Sequence, residues 1–123
     1  MTILDTRTGA GPLEMFQASV NGLELGTGVS FIFSSSDEDG SGPYLHLHHY
    51  DEIFVIRGGR ARFVLGEQVV IGEAGMILVA PAETPHRFEV IGPERYVATH
   101  VHVTATISTV WLDGPQAVHG GKA

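Results

Sequence analysis

Gly40-Ser41-Gly42-Pro43-Tyr44-Leu45-His46-Leu47-His48-His49-Tyr50-Asp51-Glu52-Ile53-Phe54-Val55-Ile56-Arg57-Gly58-Gly59 is the stretch on which the reading of this chain turns. His46 and His48 stand two apart, and in an extended strand such residues share a face roughly 6.5 to 7 Å apart along the chain, so both imidazoles aim at one point. His49, Tyr50 and Asp51 read as a short turn, after which Glu52 can return its carboxylate to that point from the next strand. A hairpin carrying three ligands is predicted. His86 further along supplies a fourth, giving three imidazoles and one carboxylate for a single metal ion.

A lone His-x-His in a strand is ordinarily an exposed or cross-strand pair. With seven histidines in 123 residues, however, three at fixed offsets together with a fixed glutamate is far from a chance arrangement. The first segment resembles motif 1 of the cupin superfamily: a glycine, five residues, His-x-His, three residues, a glutamate, six residues and a glycine, matched by Gly40, His46, His48, Glu52 and Gly59. The segment from Gly75 to His86 resembles cupin motif 2 at its first glycine, its proline (Pro81) and its histidine. It departs from that motif where Glu83 replaces the usual turn glycine and Val90 the usual final asparagine. The resemblance implies an all-β fold, a double-stranded β-helix or jelly-roll barrel, with His46, His48, Glu52 and His86 as the metal ligands. Residues 1–123 read as a single cupin domain with its core over about 13–112 and a flexible tail over 113–123.

The strand pattern around the motifs agrees. Leu13 to Val20 and Leu23 to Phe33 flank Asn21-Gly22, a dipeptide that favours a tight hairpin turn. Ile53 to Arg57 and Arg60 to Leu65 flank Gly58-Gly59, which reads as a second hairpin. Val69 to Ile71, Met76 to Ala80, His86 to Ile91, and Tyr96 to Leu112 as two strands complete the set, and no helical period persists. Antiparallel strands of this kind close into a jelly-roll sandwich or barrel.

Composition narrows the function classes. A length of 123 residues suits one domain with a modest core. A net charge of −7 with only seven Lys and Arg lacks the basic footprint that nucleic acid requires. The densest acidic run, Asp37-Glu38-Asp39, lies in a Ser/Gly-rich stretch and reads as an exposed loop. There is no cysteine, hence no disulfide framework and no thiolate metal site. No signal peptide and no membrane-spanning stretch are read from the sequence, so a cytoplasmic protein is expected.

Alternation sorts the remaining candidates. His86, Phe88 and Val90 share a face opposite Arg87 and Glu89, which places His86 and Phe88 inside. Tyr44 has the parity of His46 and His48 and is a candidate pocket-lining phenol, whereas His49 has the opposite parity and is expected at the surface. His100 and His102 form a second His-x-His among Val97, Val101 and Val103, an alternation that permits either face inside; inward, they would neighbour the metal or a substrate, and outward they would be surface histidines. Arg57, Arg60 and Arg62 are expected on the outer face and His119 in a disordered tail.

Imidazole and carboxylate ligands suit one divalent transition metal ion (Fe, Mn, Ni, Co, Cu or Zn) rather than Mg or Ca. An octahedral ion with four protein ligands keeps two positions for a small-molecule substrate. Among the activities that the resemblance implies, the open positions favour a metal-dependent oxygenase, dioxygenase-like, acting on a small chelating organic compound. The alternatives are a Lewis-acid isomerase, cyclase or lyase, or a non-catalytic small-molecule-binding or sensing cupin. A homodimer is expected, because small single-domain cupins often pair and the apolar N-terminal strands leave an edge to cover.

Overall fold

The computed structural model describes residues 1–9 and 11–117, so His119 and the end of the predicted tail lie outside the described residues. Apart from single 3-10 turns at Thr6–Thr8 and Leu13–Met15 and one helical turn, α1 (Gly22–Leu25), the described residues form ten strands. These are β1 (Ala18–Val20), β2 (Ser30–Ser36), β3 (His46–Leu47), β4 (Glu52–Gly58), β5 (Arg60–Leu65), β6 (Gln68–Glu73), β7 (Ile77–Ala80), β8 (His86–Val90), β9 (Tyr96–His102) and β10 (Val110–Trp111). They form two antiparallel sheets, β1-β2-β9-β4-β7 and β10-β3-β8-β5-β6, facing each other as an open jelly-roll sandwich.

Short runs with period-two burial explain the architecture. In β9, Tyr96, Ala98, His100 and His102 are buried while the intervening residues are only half-buried, and in β4 Glu52, Phe54 and Ile56 repeat the pattern. The inward residues make the core: Phe54, Ile56, Ala61, Phe63, Ala80, Val90, Tyr96 and Ala98. Phe54 and Phe63 meet edge to face with ring centroids 5.0 Å apart, joining the two sheets. At this end the sandwich is filled by hydrocarbon; at the other, the same inward positions are occupied by imidazoles.

Three expected turns differ from the sequence reading. Of the predicted strand Leu13 to Val20 only Ala18–Val20 is extended, and Asn21-Gly22 opens α1 instead of closing a hairpin. The Asn21 N–H is taken by the Glu24 carboxylate (3.1 Å), its side-chain oxygen accepts from Ile107 N–H (3.0 Å), and Gly26 at φ 77° ends the turn. The capping chemistry of the following Glu24 outweighs the hairpin preference of Asn-Gly. Gly58-Gly59 likewise joins strands of different sheets: β4 pairs with β7 and β9, and β5 with β6 and β8. Gly59 turns this corner at φ 64°, so close to the Arg95 backbone that a Cβ would stand 2.5 Å from the Arg95 carbonyl oxygen. For the same reason the segment from His46 to Glu52 is not a hairpin, since β3 and β4 belong to opposite sheets.

Candidate metal centre

That separation of β3 and β4 makes the site an inter-sheet one. His46 opens β3 and pairs across the sheet with His86, the first residue of β8. From the facing sheet comes Glu52, the first residue of β4, whose register partners are Ala80 and His102. His48 follows β3 in a turn pinned to the loop before β8: Glu83 N–H donates to the His48 carbonyl (2.8 Å) and Ala82 N–H to the Asp51 carboxylate (2.9 Å). All four side chains are buried, and one ligand-capable atom from each lies within 4.8 Å of every other.

The hydrogen bonds of the outer ring nitrogens set the tautomers. Nδ1 of His46 lies 2.7 Å from the Tyr44 carbonyl, Nδ1 of His48 2.7 Å from the Ser108 carbonyl, and Nδ1 of His86 2.8 Å from the Thr84 carbonyl. A carbonyl only accepts, so each Nδ1 carries the hydrogen, and in the neutral ring Nε2 is left with a bare lone pair. For His46 burial, opposed by its bond to Tyr44 and reinforced by the neighbouring rings, lowers the pKa from 6.5 to about 4, so this ring is neutral at pH 7.

Those lone pairs face a carboxylate. Glu52 Oε1 is 3.1 Å from His48 Nε2 and 3.0 Å from His86 Nε2, and the buried His48 Nε2 has no hydrogen-bond partner. Acceptor against acceptor at this range is repulsive unless a cation or proton stands between them. Glu52 itself is held well below the usual carboxylate range: burial pushes it up, but hydrogen bonding to His102, His48 and His86, which needs a proton or cation between ring and carboxylate, outweighs this. Three imidazole lone pairs and an ionised carboxylate with no competing thiolate are the donor set that a divalent transition metal accepts, and the buried cluster suits such an ion.

Behind Glu52 stand two more histidines, on its other oxygen. Oε2 is 3.2 Å from His102 Nε2 and 3.6 Å from His100 Nδ1. Each of these rings is backed by a phenol: Tyr50 Oη lies 2.8 Å from His102 Nδ1, and Tyr96 Oη 2.9 Å from His100 Nε2. Burial pushes Tyr50 up to about 12 and Tyr96 above the usual phenol range, so both stay protonated at neutral pH. Tyr50 also reaches the Ser108 carbonyl (3.1 Å) that holds His48, tying the two histidines together.

A family model described as a cupin domain matches residues 36–102, more than half of the chain. The chain belongs to the cupin family. No curated protein sequence matches this cupin significantly. An uncharacterised conserved protein with a double-stranded β-helix domain from Klebsiella pneumoniae is similar in structure, with a TM-score of 0.68 and 17% identity over 89% of both chains. A conserved protein of unknown function from Streptococcus pyogenes superposes with a TM-score of 0.58 and 20% identity over 66% of this chain and 68% of that one. Oxalate decarboxylase from Bacillus subtilis gives a TM-score of 0.68 and 20% identity over 76% of this cupin, which spans only 26% of that longer chain. At such identities the likeness is one of fold.

In this cupin the ligand cluster forms the floor of a cavity of about 240 Å³. Its walls are Ile32, Pro43, Phe54, Phe88 and Trp111, with the polar Ser34 and Thr109 and the imidazoles of His100 and His102. Phe88, His100 and His102 are thus placed inside, but Tyr44 is not. That side chain is 57% exposed and lies over Gly114, and only its carbonyl serves the site, through His46. The parity rule failed there because the chain is extended only over His46–Leu47, and Pro43 and Tyr44 precede the strand. His49 is exposed and pairs with Glu83 (2.8 Å). Sequence reasoning missed Tyr50, Tyr96, Ile32 and Ser34. Of these, Tyr96 was within reach, since it has the parity of His100 and His102 in one continuous strand.

Proposed function

We propose that this cupin is a metal-dependent enzyme acting on a small organic chelator, with dioxygenase chemistry as its reaction. The observation that carries the reading is the convergence of the Nε2 atoms of His46, His48 and His86 with Glu52 at the floor of an apolar cavity. Bound there, a redox-active divalent ion would supply a place where substrate oxygen atoms and dioxygen meet. The chain's own part is positional. The Tyr44, Ser108 and Thr84 carbonyls fix the three rings, His102 and His100 lie beside the second oxygen of Glu52, and Phe54, Phe88, Ile32 and Trp111 exclude water and hold the apolar part of a substrate.

A second reading, a Lewis-acid isomerase or lyase, rests on His102. It lines the cavity beside Glu52 and its Nε2 has no hydrogen-bond partner, so it is a base within reach of a bound molecule. Metal analysis of protein purified without added metal, followed by an oxygen-electrode screen of catechols, enediols, β-diketones and hydroxy acids, separates the two. Iron, manganese or copper with substrate-dependent oxygen uptake supports the oxygenase; stoichiometric zinc with substrate turnover and no oxygen uptake supports the second reading. Absence of any bound metal after supplementation would refute both.

A further inference from the structure

The cavity over the ligand cluster contains no cation of its own. Among the described residues its lining holds no lysine and no arginine, and its only acid is Glu52. The arginines are committed elsewhere: Arg7 to Asp5, Arg62 to Glu89, Arg95 to Asp37, with Arg57 and Arg60 exposed on the surface. Arg87 alternates with His86 and Phe88 along β8 and does not line the cavity.

This fixes a charge balance. Imidazoles bind metal as neutral rings, so a divalent ion held by three of them and the Glu52 carboxylate leaves one net positive charge. A chelator with a single negative charge spread over its two donor oxygens neutralises it. A dianion would leave a net negative charge against Ile32, Phe54, Phe88, Pro43 and Trp111, where only the His100 and His102 imidazoles could offset it, so it is disfavoured relative to the monoanion. Size narrows the class further. At about 240 Å³ the cavity falls below the roughly 300 to 1,000 Å³ of pockets that take drug-sized ligands, which favours a single small ring.

We propose that the site selects planar, ring-sized chelators that bear one negative charge on two adjacent oxygens and an uncharged apolar body, and that it discriminates against dicarboxylates such as oxalate. The proposal rests on the metal-centre reading above and adds to it the substrate class. It separates this chain from the oxalate decarboxylase whose fold it shares. Ser34 and Thr109 are the polar wall positions left to meet a neutral substituent on such a ring.

Calorimetric titration of zinc-loaded protein with tropolonate and with oxalate tests it, each affinity being divided by that ligand's affinity for free zinc ion. Tropolonate, a monoanionic ring, should be favoured by at least about tenfold on this scale, equivalent to about 1.4 kcal/mol. Introducing a cation into the wall by Ser34→Arg, or by Thr109→Lys if the first variant does not fold, should shift the ratio toward oxalate by at least about tenfold. Metal retained with oxalate bound as well as tropolonate, or a ratio that the added cation leaves unchanged, would overturn the charge argument while leaving the metal centre standing. Failure to retain zinc would remove the metal reading and this inference with it.

Discussion

Acid stability of the metal-free protein turns on His100. The ring lies on β9, 3% exposed, between Phe54 and Phe88 at centroid distances of 4.8 and 5.3 Å, with the Tyr96 hydroxyl on its Nε2. Burial, only partly opposed by the Glu52 carboxylate, lowers its pKa from 6.5 to about 4. The unfolded chain therefore binds more protons than the folded one between these values, so the contribution of His100 is fully present above pH 6.5 and is lost as pH falls toward 4. At about 1.36 kcal/mol per pH unit the whole span is worth about 3 kcal/mol. His46 shifts over the same window and in the same direction, from 6.5 to about 4, by burial first. Its ring edges the open cavity, so solvent screening reduces its share to about 1 to 2 kcal/mol. Glu52, depressed below its ordinary 4.5, contributes stability present above that value and lost only below it.

A loss of about 4 to 5 kcal/mol is comparable with the whole stability of many domains. Urea unfolding of chelator-stripped protein, followed by the emission of the single tryptophan, Trp111, should thus show the free energy falling steeply between pH 6.5 and 4. His100→Gln keeps an acceptor for the Tyr96 hydroxyl and cannot titrate, so it should remove about 3 kcal/mol of the fall whatever its cost at neutral pH. A stability that stays level across this window, or a slope identical in wild type and His100→Gln, would refute the account of the buried imidazole layer.

The remaining predictions concern the ligands, the corner and the edge. His86→Ala should abolish stoichiometric metal retention, whereas His49→Ala, whose ring is exposed and paired to Glu83, should leave metal content unchanged by elemental analysis. In wild type, free metal at about 100 times its dissociation constant should stabilise the fold by about 2.7 kcal/mol, an increment that a chelator removes and calorimetry reads. Gly59→Ala adds a Cβ at φ 64° and 2.5 Å from the Arg95 carbonyl oxygen, and should lower the unfolding free energy by about 2 to 4 kcal/mol in urea titration. Finally, β1 leaves an edge at the end of its sheet, beside the exposed Leu13, Met15 and Leu23, and we expect sedimentation to show a homodimer; a monomer at high micromolar concentration would contradict this.

How much was legible in the sequence follows from the range of the interactions involved. The His46, His48, Glu52 and His86 spacing and the alternation of β9 and β8 are local patterns, and they led to the jelly roll and to the buried cluster. Which sheet a strand joins is not local: Gly58-Gly59 has the composition of a hairpin, yet β9 competes for the edge of β4 and wins, sending β5 across to the other sheet. The phenol behind His102 was hidden for the same reason, since the Tyr50–His102 contact spans 52 residues, whereas Tyr96 stands only four residues from His100 on the same strand.

Position 83 shows how a departure from a motif can leave its geometry intact. Glu83 stands where the family's pattern has glycine, and it keeps the glycine's conformation at φ 69°, the one non-glycine residue among those described with positive φ. A side chain there costs on the order of 1 to 2 kcal/mol. The strain is held by what surrounds it: Glu83 N–H donates to the His48 carbonyl and its carboxylate pairs with His49. Both partners belong to the turn that carries His48 into the site, so the residue that breaks the motif is fastened to the motif's central ligand. The other departure is absorbed differently. Val90, in place of asparagine, is 2% exposed in the core, and the polar contacts beside it are made by its backbone, to Ser41 and Gly40 at 2.7 Å each. In both places the backbone hydrogen bond, which any residue can make, preserves the loop that delivers a ligand, and the side chain is free to differ.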